Sequence, residues 1–281
     1  MNRAHKIYLT LTLLLFGIVL KSHATHNRAG EITFKHIQGY TYEITLTTYT
    51  DPQSPPDRET LNIKWGDGTS KDVQRDRIDQ NIGEENAHPV QRNVYIDRHT
   101  YPGPGTYTIR MQDKNRVADI VNMTNSVNTA FYVETKLKIF PGGRGYNNSP
   151  VLLQPPIDYA QTQEVFIHNP NAYDVDGDSL VYSLVPPKRA YKTKVNGYYI
   201  PYADNRFSIN SQTGRLVWDH PDSTGIYNIA IRVEEFRQGE KMGEVIRDMQ
   251  IIVTKGDNKK PIISEFKDTC VKAGTNLTLN V

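Results

Sequence analysis

The chain has 281 residues, enough for two domains of ordinary size, and a formal net charge of +2. Its first 24 residues hold Arg3, Lys6 and Lys21 and no acid, so the remainder carries +2 − 3 = −1; the basic character of the whole sequence therefore gives no argument for nucleic acid, and no such partner is expected. Cys270 is the only cysteine, which excludes an internal disulfide framework.

Arg3 and Lys6 precede an apolar run from Ile7 to Leu20, and Ser22-His23-Ala24 offers small residues for cleavage. The run, about 14 residues, is short for a bilayer. Residues 1–24 therefore read as a secretory signal peptide cut after Ala24, in preference to an uncleaved anchor. No later apolar run reaches membrane length, so no membrane span is expected in the mature chain.

From Glu31 the pattern is β. Glu31–His36 and Tyr40–Tyr49 flank Ile37-Gln38-Gly39, a natural hairpin turn, and Tyr42, Ile44 and Leu46 alternate with Glu43, Thr45 and Thr47. Such alternation fits an antiparallel sandwich with one buried face. The prolines within Asp51–Asp57 interrupt the sheet. Leu61–Trp65 ends a strand on a large aromatic and runs into Gly66-Asp67-Gly68-Thr69. Val90–Ile96, Thr106–Met111 and Thr129–Phe140 read as further strands. Trp65 is expected in the core, Asp67 on turn amides, and Tyr107 as a corner tyrosine bonded back to the backbone. A proton-transfer pair of Asp67 with His99 lacks a visible orienting group and pocket. Residues 141–150, dense in Pro, Gly and Asn, read as a linker.

In the second half, Glu164–His168, Leu180–Val185, Arg206–Asn210, Arg215–Trp218, Ile226–Glu234 and Glu244–Val253 read as strands. Tyr227, Ile229, Ile231 and Val233 share one face, and Val245, Met249, Ile251 and Val253 point inward. Asp174, Asp176 and Asp178 alternate around Gly177 just before a strand. Three carboxylates so close repel one another unless solvated, hydrogen-bonded or neutralised by a cation, and a hard oxygen-seeking ion such as Ca²⁺ suits them best. A plain polar turn is the other reading. The loop is not an EF-hand: its glycine comes too early and Val185 stands at the twelfth position.

Trp-Gly-Asp-Gly-Thr at 65–69, followed by His99-x-Tyr101-x-x-x-Gly105-x-Tyr107-x-Ile109, resembles the PKD domain, an immunoglobulin-like β-sandwich, over roughly Glu31–Phe140. The run from Asp174 through Tyr182-Ser183-Leu184, Phe207-Ser208-Ile209, Thr213-Gly214 and Gly225-x-Tyr227-x-Ile229 resembles cadherin-like, immunoglobulin-type domains of bacterial surface proteins. That likeness implies calcium at Asp174, Asp176 and Asp178. Thr25–Thr33, Asn147–Val151 and Val233–Arg237 resemble large secreted proteins of gliding bacteria that end in a gliding-motility-associated sorting domain. This chain is poorer in cysteine than such relatives.

The expected fold is all-β: tandem immunoglobulin-like sandwiches at 25–140 and 151–255, plus an incomplete third beginning in 256–281. Cys270 would be free, paired with another chain, or paired with sequence beyond Val281. The leading functional expectation is a non-enzymatic secreted or cell-surface module for adhesion, spacing or display. It would be part of a longer multidomain chain with a protein or polysaccharide partner at the cell surface. Neither a Gly-x-Ser-x-Gly elbow, nor His-Glu-x-x-His, nor a P-loop occurs, and the histidines lack metal-ligand spacing. An ancillary carbohydrate- or protein-binding region of a secreted hydrolase is the alternative, with Tyr198, Tyr199 and Tyr202 as stacking platforms. A glycosidase with two carboxylates is a third reading, though pairing of acids is not legible in one sequence.

Overall fold

A computed structural model describes residues 27–52, 58–79, 89–141 and 145–256. The signal-peptide segment, Cys270 and the proposed third domain lie outside the described residues. The named elements among the described residues are all strands, joined by turns and loops, apart from a 3-10 turn at Ser126–Asn128.

The N-terminal unit comprises β1 (Asn27–Gln38), β2 (Thr41–Thr50), β3 (Thr60–Lys64), β4 (Ser70–Asp79), β5 (Gln91–Thr100), β6 (Gly105–Asp113) and β7 (Phe131–Ile139). The C-terminal unit is built from shorter pieces: β8 (Val151–Leu152), β9 (Ile157–Gln161), β10 (Phe166–His168), β11 (Ala172–Tyr173), β12 (Ser179–Val185), β13 (Lys188–Ala190), β14 (Thr193–Lys194), β15 (Phe207–Ile209) and β16 (Leu216–Trp218). Two long strands follow, β17 (Gly225–Arg237) and β18 (Glu240–Thr254). Gln238 and Gly239 both take positive φ, 52° and 81°, and join them in the two-residue turn that matches strand twist.

Alternation sets the N-terminal core. Ile32, Phe34, Tyr42, Ile44, Leu46, Ile63, Trp65, Ile109 and Phe131 all bury their side chains in one cluster. As expected, Trp65 is in this core, and the Tyr107 hydroxyl donates to the Gly103 carbonyl at 2.7 Å. The C-terminal unit repeats the device. Trp218 is fully buried against Tyr227, whose hydroxyl donates to the Ser223 carbonyl at 3.1 Å. The C-terminal core also takes in Ala29, Tyr49 and Val90 from the N-terminal unit.

Pairing does not stop at the boundary read from sequence. From β18 it runs through β1, β2, β5, β4, β3, β6 and β7, and β7 pairs with β18 again, so the path closes. β18 also carries β17 and the parallel strand β9. With elements on every side, Arg247–Val253 is buried at each position, not only at its inward residues. Buried ion pairs cross the same junction. Arg247 meets Glu31, and Arg116, fully buried, grips Asp248 through two hydrogen bonds of 2.8 and 2.7 Å. Asn228 accepts from Arg116 and donates to Asp248, so both terminal nitrogens of Arg116 and both oxygens of Asp248 are hydrogen-bonded, while Arg116 Nε has no partner among the described residues.

The stretch read as a linker is itself packed. Asn147 and Ser149 are buried, and Ser149 and Asn148 bond the backbone of Phe34 and His36 along β1.

Candidate functional site

Asp174 follows β11, and the loop wraps round its carboxylate. Its Oδ1 accepts the backbone N–H groups of Asp176 at 2.9 Å and Asp178 at 3.1 Å. Gly177, with φ of 77°, supplies the left-handed turn this wrapping needs. Asp178 is held by Arg237 from β17 in a bidentate pair of 2.7 and 2.9 Å. Asp176 bonds the stretch read as a linker. Its oxygens accept the Asn148 backbone N–H at 2.7 Å and side-chain amide at 2.8 Å, and Arg237 lies 3.3 Å off.

A fourth acid joins from the strand. Glu235 is fully buried; its Oε1 accepts from the Asn147 amide at 2.7 Å. Opposite stands Gly243, where a Cβ would fall 2.2 Å from that oxygen, so only glycine leaves room for the carboxyl. Asp174, Asp178 and Glu235 offer oxygens all within 4.8 Å of one another, the one such group among the described residues. The structure thus brings together Asp174 and Asp178 and adds Glu235 in place of Asp176.

Donors run short here. Asp174 Oδ2 and Glu235 Oε2 are buried and receive no hydrogen bond from any N–H or hydroxyl among the described residues; a protonated Glu235 would donate to Asp174. Two such oxygens close together call for a shared proton, a bridging water or a cation between them. Burial pushes the Glu235 carboxyl up to about 9, against the pull of its Asn147 bond and with help from Asp174 and Asp178. Burial also raises Asp174, against the N–H donors of the loop. Arg237 is raised chiefly by its bonds to Asp178. Four carboxylates and one guanidinium sum to −4 + 1 = −3 when all are ionised. One proton leaves −2, and one divalent ion leaves −1.

The donor set fits a hard divalent ion. All candidate ligands are oxygens, and ligands on opposite sides of Ca²⁺ stand roughly 5 Å apart, which the 4.8 Å spread accommodates. Asp174, Asp178 and Glu235 would hold the ion through Asp174 Oδ2 and Glu235 Oε2, with Asp178 shared with Arg237.

Asp67 and His99 do meet, at 2.6 Å between Oδ2 and Nε2. Asp67 also accepts from the Thr69 N–H and hydroxyl at 2.9 and 2.6 Å, as its turn position predicts. His99 lies flat on Trp65, with ring centroids 5.0 Å apart, and edge-on to Tyr101. These contacts make the pair a brace between the turn and the core. His168 and His220 bond Asp158 and Asp219, each in a separate place. Among the tyrosine platforms, Tyr199 and Tyr202 are exposed at 42% and 76%. Tyr198 instead packs on Val117, Ile120, Met123 and Val195, because its alternate position turns it under the loop.

No family model, no curated protein and no solved structure matches this chain. No helix among the described residues is long and apolar enough to cross a membrane.

Proposed function

We propose that the chain is a non-enzymatic module of a secreted or cell-surface protein: a stiff β-body that spaces, displays or adheres, braced by Ca²⁺ at Asp174, Asp178 and Glu235. One observation carries this reading. β18 completes the sheets of both units at once, so the two cannot bend apart without breaking a strand pair. A body of that kind suits bearing load and holding distance. The resemblance to PKD and cadherin-like domains of gliding bacteria points the same way, as does the signal-like N-terminus.

Trp65 and Trp218 sit in separate cores and can report on each unit alone. Trp65→Phe and Trp218→Phe variants are expected to unfold in urea at coincident midpoints when read by the remaining tryptophan. Two separated transitions would sink the single-body reading, and failure to label the protein on intact cells would sink the surface assignment. Melting in millimolar Ca²⁺ against chelator tests the ion. At a hundred times Kd the gain is about 2.7 kcal/mol, or roughly 5–10 °C for a body of this size.

The second reading, an ancillary polysaccharide-binding part of a secreted hydrolase, is favoured by the exposed Tyr199 and Tyr202, edge to face at 6.4 Å. Pull-down on insoluble neutral polysaccharide, lost in Tyr202→Ala, separates it from the first.

A further inference from the structure

On the outer face of the N-terminal unit lies a groove of about 450 Å³, within the ordinary range of ligand pockets. Its floor is the outward side of β3 and β6. Arg58, Lys64, Arg110 and Lys114 line it, against one lining carboxylate, Asp113. Asp113 is buried and fully engaged by Arg58, the Asn27 amide and the Lys114 N–H. Asp72, at the rim, accepts from Asn62 at 2.7 Å.

Lys64 and Arg110 are direct cross-strand partners, two like charges side by side on one face. Such a pair is unfavourable, and long side chains ordinarily splay apart to relieve it. Arg110 is prevented from doing so: its guanidinium sits over the Tyr191 ring, 4.2 Å from the centroid. The acid on its other side, Glu134, is its register partner in β7. Glu134 is already taken by the Tyr132 hydroxyl and the Lys188 ammonium, each at 2.5 Å. Among the described residues, no carboxylate lies within ion-pair distance of Lys64, Arg110 or Lys114. The face therefore holds positive charge in place without neutralising it. Between the cations stand Asn62, Thr60 and Gln112, which match hydroxyl groups in size and hydrogen bonding.

We propose that this groove binds an acidic polysaccharide, a uronate- or sulfate-bearing strand whose charged group sits between Lys64 and Arg110 while its hydroxyls meet Asn62 and Gln112. The surface-module reading enters only in preferring a glycan to another polyanion; the calcium centre is not involved.

The test is titration of the purified chain with polygalacturonate, dextran sulfate, plain dextran and polyglutamate in about 50 mM salt, where exposed charges are lightly screened. Binding is expected to one or both acidic polysaccharides, the two arms telling carboxylate from sulfate, and not to dextran. Lys64→Gln/Arg110→Gln is expected to weaken it about tenfold or more. Its melting temperature should hold or rise, because a repulsion is removed. Lys35→Gln/Arg215→Gln, two exposed cations elsewhere, should change binding less than about twofold. If the double variant unfolds, exposed Lys114→Gln carries the expectation of a loss of about two- to threefold. Equal losses in both double variants, no binding to either acidic polysaccharide, or polyglutamate binding as tightly as the polysaccharides would each overturn the assignment. Loss of binding alone, with the calcium response and coincident unfolding intact, would remove the groove and leave the module reading standing.

Discussion

Two acidic glycine loops, one in each unit, end in opposite electrostatic states. At Gly66-Asp67-Gly68-Thr69, burial pushes the Asp67 carboxyl up. The hydrogen bonds from Thr69 and His99 outweigh it and hold the group down at about 2. At Asp174–Asp178 the donors fail to reach two buried carboxylate oxygens, and the buried Glu235 rises to about 9. The residue types are alike. What separates a brace from a candidate ion site is the supply of donors: the first loop satisfies its acid, whereas the second leaves two buried oxygens without an N–H or hydroxyl donor.

The contrast breaks most severely at Arg237. Removing it strips Asp178 of both its bonds and leaves the cluster with no cation partner among the described residues. Arg237→Ala is expected to cost about 3 kcal/mol in chelator, as broken partly buried pairs do. Millimolar Ca²⁺ should restore most of it, read as the urea midpoint with and without the ion. No recovery would mean that the acids need the guanidinium itself.

Glu235→Gln sharpens the comparison through pH. The native carboxyl titrates at about 9 against an ordinary 4.5, so the folded state holds a proton that the unfolded chain releases. Its stabilising contribution is fully present below pH 4.5 and is lost as pH rises through 9. In chelator, native stability should therefore fall across that window. Glu235→Gln should flatten the slope, gain about 1 kcal/mol or more near pH 8, and abolish the calcium response. A slope unchanged in the variant would place the proton elsewhere.

Asp67→Asn gives the smallest effect and the reverse sign. Its folded carboxyl lies near 2 against 3.8, so its contribution is present above pH 3.8 and is lost as pH falls through 2. A loss of about 1 kcal/mol at neutral pH is expected, vanishing by pH 2 and indifferent to calcium. Thermal melts from pH 2 to 7 would settle it.

Much of this was readable from residues. Strict alternation in β2 and β17 marked their buried faces, and glycine with tyrosine marked both corners. β4 escaped because Ser70–Asp79 is polar almost throughout and buries only Val73 among its hydrophobics. The full burial of β18 escaped because it comes from partners distant in sequence, β1 and β7. Glu235 did leave a signal. It continues the inward series Tyr227, Ile229, Ile231, Val233, and a carboxylate at such a position calls for a partner. That partner lies 235 − 174 = 61 residues earlier, which no local pattern reveals.

The closed pairing path also orders events in time. Gly30 meets Asp248, so the N-terminal unit lacks its final strand until 248 − 30 = 218 further residues have been made. A chain emerging from its N-terminus carries β1, and then β7 once it is made, with an edge left open until β18 arrives. Contacts of such sequence separation are slow to form, and open edges invite pairing with other chains. Assembly of the first half is thus coupled to completion of the second, and a polypeptide interrupted before β18 would present an adhesive β surface.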